Sequence, residues 1–343
     1  MKLLVTGGAG FIGSNYVRYV LEERAQDSIT VLDKLTYAGN PANLEDVKGR
    51  ITFVRGDIAD ATVVDDLVAA ADAVVNFAAE THVDRSIEDA DAFIRTNVQG
   101  TKTLLEAARR RSGCRYLQVS TDEVYGAVLT GHSKESDALD PRSPYSAAKA
   151  GGDLLVRSYF VSYGLDAVIT RGANTIGPYQ YPEKVVPLFV TNAIDDQPLP
   201  IYGQGVAARD YVYVRDHCEA IDLVLRQGQP GEIYNIGASR ELNTIEVADR
   251  VLGLLGKPAS LKRLVEDRPG HDRRYSVAWS KIRALGWQPR HSLDETFAKT
   301  AAWYQANERW WRPIKSGEFA AFYERWYGER LATSQGSNVN ASR

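Results

Sequence analysis

The sequence predicts an α/β fold: a doubly wound parallel sheet with a smaller mixed α/β lobe toward the C-terminal end. Three observations carry this. Short β-branched runs alternate with longer helical patterns through the first half, the signature of βαβ units. A glycine cluster, Gly7-Gly8-Ala9-Gly10-Phe11-Ile12-Gly13, stands between the first strand and the first helix. After about Gly172, prolines and glycines thicken and the alternation is lost.

In chain order, Lys2 to Thr6 reads as the first strand and Phe11 to Glu23 as the first helix. Ser28 to Leu32, Ile51 to Arg55 and Ala73 to Phe77 are the next strands, and Tyr116 to Ser120 follows a helix over about Ala92 to Arg111. Crossovers of helical length are right-handed almost without exception, and ligands of such sheets bind at the carboxyl ends of the strands. Residues 1–172 are the expected first domain, with strands near Tyr211 to Val214 and Glu232 to Ile236 returning to it. The smaller lobe covers 173–331, with helices near Thr244 to Leu255 and Leu293 to Asn307. The second of these opens on Ser292-Leu293-Asp294-Glu295, where serine and glutamate can cap each other's free amides. Residues 332–343, rich in Ser, Asn and Gln, are expected to be a disordered tail. There is no internal repeat.

The chain has 343 residues, 44% hydrophobic and 25% charged, with a net charge of −3 and interspersed signs. No basic stripe points to nucleic acid or an anionic membrane. Cys114 and Cys218 have no metal or redox spacing, so no metal is expected and both read as buried thiols of a reducing compartment. The first apolar run, Leu3-Leu4-Val5, is too short for a signal peptide or a membrane span, and a cytoplasmic location is expected.

The glycine cluster lies in the strand–helix context that a dinucleotide fingerprint requires. Gly7 permits the tight turn, Gly10 lets backbone approach a pyrophosphate, and Gly13 lets helix pack on strand; the helix N-terminus offers free amides to phosphate. Asp33, twenty residues beyond Gly13, ends the second strand. A carboxylate there accepts from a ribose diol and repels a 2′-phosphate, favouring NAD over NADP. Asp57, after the third strand, reads equally as an adenine contact and as a turn aspartate.

Tyr145-Ser146-Ala147-Ala148-Lys149 opens a helix after Pro144. Residues four apart share a helix face, so phenol and ammonium reach one ligand. With a reference pKa of about 10, tyrosine is a poor base. The Lys149 charge and a cationic nicotinamide ring are both expected to lower it. The phenol can then take a hydroxyl proton while the carbon beneath loses hydride.

With this combination the sequence resembles the extended short-chain dehydrogenase/reductase family, of Rossmann architecture, over about 330 residues. Ser120-Thr121-Asp122-Glu123-Val124-Tyr125-Gly126 stands at a strand end ahead of Tyr145 and resembles the signature of the dTDP-glucose 4,6-dehydratases within it. The resemblance implies that Thr121 bonds a sugar hydroxyl, Glu123 is the base at C5 and Asp122 the acid at C6. Chemistry explains the pair: a C4 ketone acidifies the C5 proton, but the C6 hydroxyl leaves only when protonated. One carboxyl must be ionised and its neighbour protonated.

The resemblance also implies a cofactor set of Phe11, Ile12, Lys34, Thr36, Ile58, Phe77, Ala78, Ala79, Thr96, Asn174 and Thr175 beside the residues above, with Asn97 close by. Thr175-Ile176 departs from the Asn-Tyr pair usual in the family. For the nucleotide-sugar it implies Thr81, Thr121, Asn174, Lys184, Val185, Pro200, Ile201, Tyr202, Arg209, Asn243, Arg268 and His271. An arginine grips two phosphate oxygens in a fork, although Arg209 and Arg268 read alternatively as surface ion pairs, and His82 reads as well structural as catalytic. Family members pair through two helices into a four-helix bundle, so a homodimer through segments near Ala92 to Arg111 and Ser146 to Tyr163 is expected. The residues leave open a nucleotide-sugar epimerase or decarboxylase of the same fold, and a non-catalytic NAD-sensing protein. Asp122-Glu123 argue against the first, since epimerisation at C4 needs no acid–base pair at C5 and C6. Thr121, Tyr145 and Lys149 in register with the glycine loop argue against the second.

Overall fold

βαβ units fill the first half of the computed structural model, in which residues 1–268 and 270–334 are described. They run β1 (Lys2–Thr6), α1 (Phe11–Glu23), β2 (Ser28–Asp33), β3 (Thr52–Arg55), α2 (Ala61–Ala69) and β4 (Ala73–Asn76). Next are α3 (Val83–Glu88), α4 (Asp91–Phe93), a π-helical stretch over Ile94–Gly100, α5 (Thr101–Arg110), β5 (Arg115–Thr121), α6 (Pro144–Tyr163) and β6 (Ala167–Gly172). Then follow β7 (Asn174–Ile176), α7 (Val185–Ile194), β8 (Leu199–Tyr202), β9 (Ala208–Tyr213), α8 (Val214–Gln227) and β10 (Ile233–Ile236). The chain continues through β11 (Glu241–Asn243), α9 (Thr244–Leu255), β12 (Lys262–Val265), α10 (Ser280–Ala284), α11 (Leu293–Ala306), α12 (Glu308–Ser316) and α13 (Glu318–Thr333).

Among the described residues a seven-stranded sheet runs in the order β10-β6-β5-β4-β1-β2-β3, its neighbours all parallel. Side chains alternate across each strand, so Leu3 and Val5 of β1 join the core under α1 and α8, and Leu4 the core under α2, α5 and α6. The winding reverses between β1 and β4, the switch point where such sheets bind ligands. A second core, with Phe189, Phe297, Tyr304, Trp311 and Phe319 at its centre, fills the C-terminal lobe between α7, α9, α11, α12 and α13.

Four details depart from the sequence expectation. β10 does return to the main sheet beside β6, but β9 pairs with β7 and β11 in a separate three-stranded sheet. β9 carries Arg209 and Asp210, and Asp210 takes the amides of Ala238, Ser239 and Arg240 at 2.7, 3.0 and 2.7 Å. A strand with two charges does not suit a sheet buried on both faces. The helix expected over about Ala92 to Arg111 contains the π stretch, a device that re-aims side chains at functional sites. Ala332 and Thr333 belong to α13 rather than to a tail, and residues 335–343 lie outside the described residues. Finally, α12 and α13 add a helical layer that the sequence pattern does not assign. The Ser292–Glu295 box forms as expected, with Ser292 N donating to Glu295 at 2.8 Å and Glu295 N to Ser292 Oγ at 3.2 Å.

Candidate active site

A cleft of about 280 Å3 opens at the carboxyl ends of β1, β2, β4 and β5. Every residue expected at the cofactor lines it: Gly7, Gly10, Phe11, Ile12, Gly13, Asp33, Lys34, Thr36, Asp57, Ile58, Phe77, Ala78, Ala79, Thr96, Tyr145, Lys149, Asn174 and Thr175. Gly7 has φ +68, and a Cβ there would lie 2.5 Å from the Ala78 nitrogen. At Gly13 a Cβ would overlap the Gly7 carbonyl oxygen, so only glycine lets α1 start this close to the turn. Gly10 caps α1 without a side chain. The first helical amides therefore have no partner of their own and face the cleft, as a pyrophosphate requires.

Asp33 accepts from Ala9 N at 2.9 Å and Leu35 N at 2.8 Å. Burial raises its carboxyl, and these two amides offset part of the rise. Each oxygen keeps a second lone pair, so the residue fits a ribose diol. Asp57 serves its turn, accepting from Ala59 N at 2.9 Å; it also pairs with Lys34 at 2.9 Å and Arg95 at 3.2 Å, and it lines the cleft. Asn97, carried inward by the π stretch, bonds both backbone groups of Glu80 at 3.0 and 3.1 Å, and so shapes the cleft from behind.

The reacting groups converge from two elements. β5 ends on Thr121, whose hydroxyl accepts from Glu123 N at 3.2 Å and donates to Asp122 Oδ1 at 3.2 Å. It thereby caps the 3-10 turn Asp122–Tyr125 and aims both carboxyls. α6 begins with Pro144 inside a Ser143–Ser146 capping box, which presents Tyr145 and, one turn on, Lys149. Lys149 Nζ donates to Val119 O at 2.7 Å, and burial lowers its ammonium to about 8.

Burial pushes both carboxyls up, but their neighbours differ. Asp122 is 3% exposed, and its Oδ2 has no partner among the described residues. Burial, then the Glu123 charge, pushes it up to about 8. Burial also raises Glu123, but Lys184, Arg209 and Arg268 pull it back. At neutral pH the first holds its proton while the second has three cations favouring its charge. Tyr145 behaves differently from the sequence expectation: burial, then Glu123 and Asp122, hold its phenol well above the ordinary value, with Thr121 opposing. Lys149 is not among the main influences on the phenol, and its ammonium donates to the Val119 carbonyl.

A second cavity of about 160 Å3 adjoins the first, and Thr81, Glu123, Asn174, Glu183 and Lys184 line both. Val185, Pro200, Tyr202, Arg209, Arg268 and His271 line it as expected. Three expected residues do not, and of these Thr121 lines the larger cleft instead. Ile201 points the other way along β8 into the second core, because neighbouring strand residues face opposite sides. Asn243 caps α9, accepting from Glu246 N at 2.9 Å. The arginines are not surface ion pairs. Arg209 donates to the Ala208 and Asp272 carbonyls at 2.8 and 2.9 Å, and Arg268 to buried Asp84 at 2.8 Å.

His82 is 6% exposed and also lines this cavity; burial, then Lys184, Arg268 and Arg85, hold it neutral. Thr175, where the family pattern is broken, is held by His217 Nδ1 at 2.6 Å, and Ile176 sits in the second core. Sequence reasoning missed Glu183, Tyr275 and Tyr327 in the walls. Glu183 adjoins Lys184 and accepts from Tyr37 at 2.8 Å and Arg85 at 3.0 Å; adjacency to a recognised residue was its one signal.

Comparison with known proteins gives a consistent result. A family model described as GDP-mannose 4,6 dehydratase matches residues 4–300. The dTDP-glucose 4,6-dehydratase of Streptomyces niveus is 50% identical over 327 residues, covering 93% of this chain and 97% of that protein. A crystal structure of the dTDP-glucose 4,6-dehydratase of Streptomyces venezuelae, with NAD bound, is 51% identical, with a TM-score of 0.90 over 92% of this chain and 100% of that one. The UDP-glucose 4-epimerase of Thermus thermophilus shares the fold at 33% identity, with a TM-score of 0.83 over 90% of this chain and 100% of that one. The chain belongs to the GDP-mannose 4,6 dehydratase family, a group of extended short-chain dehydrogenases/reductases.

Proposed function

We propose that the chain is an NAD-dependent hydro-lyase that converts dTDP-glucose to dTDP-4-keto-6-deoxyglucose. The observation that carries this is the buried Asp122–Glu123 pair, with Asp122 protonated at neutral pH and Glu123 facing three cations. NAD held in the larger cleft supplies a hydride acceptor for C4 and a hydride donor for C6. Tyr145 accepts the proton of the C4 hydroxyl, which Thr121 helps to hold. The proton on Asp122 removes one of the three carboxylate charges, those of Glu123, Asp122 and Asp153, that help burial to hold the phenol up. Glu123 then takes the C5 proton, and Asp122 gives its own to the C6 oxygen, which leaves as water. C5 is reprotonated as C6 is reduced, so one water is lost and no net oxidation occurs.

Residues 1–172 with α8 and β10 serve as the dinucleotide domain and most of 173–334 as the nucleotide-sugar lobe. Lys184, Arg209 and Arg268 supply the positive charge for a diphosphate. A homodimer through α6 and the π stretch is supported by Leu154 and Val161, 57% and 70% exposed and seven residues apart on one face, with Ile94 at 54%. A cytoplasmic location is supported by two buried free thiols, and the net charge of −3 favours neither nucleic acid nor an anionic membrane as partner. Purified protein is incubated with dTDP-glucose and, separately, UDP-glucose, and products are identified by mass. A product lighter by one water from dTDP-glucose is expected; an isomer of unchanged mass would make the chain an epimerase instead.

A further inference from the structure

The glycine loop is fixed from outside its own turn. Ala9 is fully buried, and its backbone groups are all taken. Its N–H donates to Asp33 Oδ2 at 2.9 Å, and its carbonyl accepts from Asn43 Nδ2 at 2.8 Å and Asn40 N at 3.1 Å. The next amide, Gly10 N, donates to Gly7 O at 3.1 Å. Both peptide planes around Ala9 are thus locked, which sets the direction in which the free amides at the start of α1 point.

Asn43 is held in turn. It lies in the 3-10 turn Pro41–Leu44, is 1% exposed, and its Oδ1 accepts from the Trp310 indole at 2.8 Å. An indole N–H only donates and a carbonyl only accepts, so the two contacts together fix the orientation of the Asn43 amide. Trp310 belongs to α12 in the other lobe, 267 residues further on. It packs at 5.1 Å from Trp303 and 5.9 Å from Tyr179, whose ring lies 4.2 Å under Arg18 of α1. Neither Asn43 nor Trp310 lines either cavity.

We infer that Asn43 and Trp310 are positioning residues for the dinucleotide, through which the C-terminal lobe sets how the phosphate loop presents its amides. The inference rests on the NAD reading above. It is tested on full-length protein freed of dinucleotide, by titration with NADH and by turnover of dTDP-glucose at graded NAD. Trp310→Phe keeps an aromatic ring, smaller than the indole, and removes the N–H. Asn43→Asp keeps size and the acceptor for Trp310, and removes the donor to Ala9. Loss of one net hydrogen bond corresponds to about fivefold weaker binding, expected for Trp310→Phe. Asn43→Asp should lose tenfold or more, since a carboxylate then faces the Ala9 carbonyl. Half-saturating NAD should rise by the same factors, while kcat at saturating NAD holds and the double variant loses less than the product of the two. Unchanged NADH affinity in folded Trp310→Phe would overturn the inference, as would fully multiplicative losses or a fall in kcat alone. The unaltered chain is titrated alongside, so failure of the NAD reading shows there and failure of the coupling shows only in the variants.

Discussion

Raising the pH should stop this enzyme halfway through its reaction. Asp122 must deliver a proton, and burial beside Glu123 holds it at about 8. At pH 7 about nine molecules in ten then carry that proton, and at pH 9 about one in ten, with a further tenfold loss per unit above. Lys149 is also brought to about 8, so an alkaline fall in turnover does not by itself identify the group. The two act on different steps. If Asp122 titrates, C4 oxidation persists at pH 9, and reduced cofactor accumulates with a 4-keto sugar that retains its C6 oxygen. If Lys149 titrates, oxidation itself slows and nothing accumulates. The assay is a single turnover followed by nicotinamide absorbance and by quenching for mass analysis between pH 6 and 10. Asp122→Asn should show the accumulated state at every pH. A flat elimination rate to pH 10, or an alkaline limb that persists in Asp122→Asn without accumulation, would refute the assignment of Asp122 as the acid.

Three further outcomes are expected. Tyr145→Phe should cut the C4 oxidation by about 10²–10⁴-fold, the usual worth of a general base, read as the rate of nicotinamide reduction on mixing with substrate. Asp33→Ala should weaken NAD binding and narrow the discrimination against NADP, measured by titrating both dinucleotides. Leu154→Asp with Val161→Asp should convert a dimer to a monomer by light scattering, because a charge on a dry helix face opposes association.

The dinucleotide half was legible because its signals are local. Gly7, Gly13 and Asp33 answer to steric and hydrogen-bonding demands met within one βαβ unit, and all three line the cleft. Tyr145 and Lys149 share a helix face, and Thr121 to Glu123 are consecutive, so short spacing again sufficed to bring them to one cleft. The second cavity was legible only in part, since its walls come from β8, β9, the segment after β12 and α13. Ile201 shows the limit: a matching segment does not say which face of β8 a residue takes. Asn243 shows another, because a strand-end asparagine serves a helix cap as readily as a ligand. The direction of the Tyr145 shift was hidden for a different reason. It depends on how deeply Asp122 and Glu123 are sunk beside the phenol, and proximity of that kind has no sequence period.

The proposed reaction turns on one hydride. Hydride taken from C4 is returned to C6 of the same sugar, so dTDP-glucose carrying deuterium at C4 should give a 4-keto-6-deoxy product with that deuterium at C6, without added reductant and with no net NADH. Deuterium found in bulk NADH, washed into solvent or returned to C4 would contradict it.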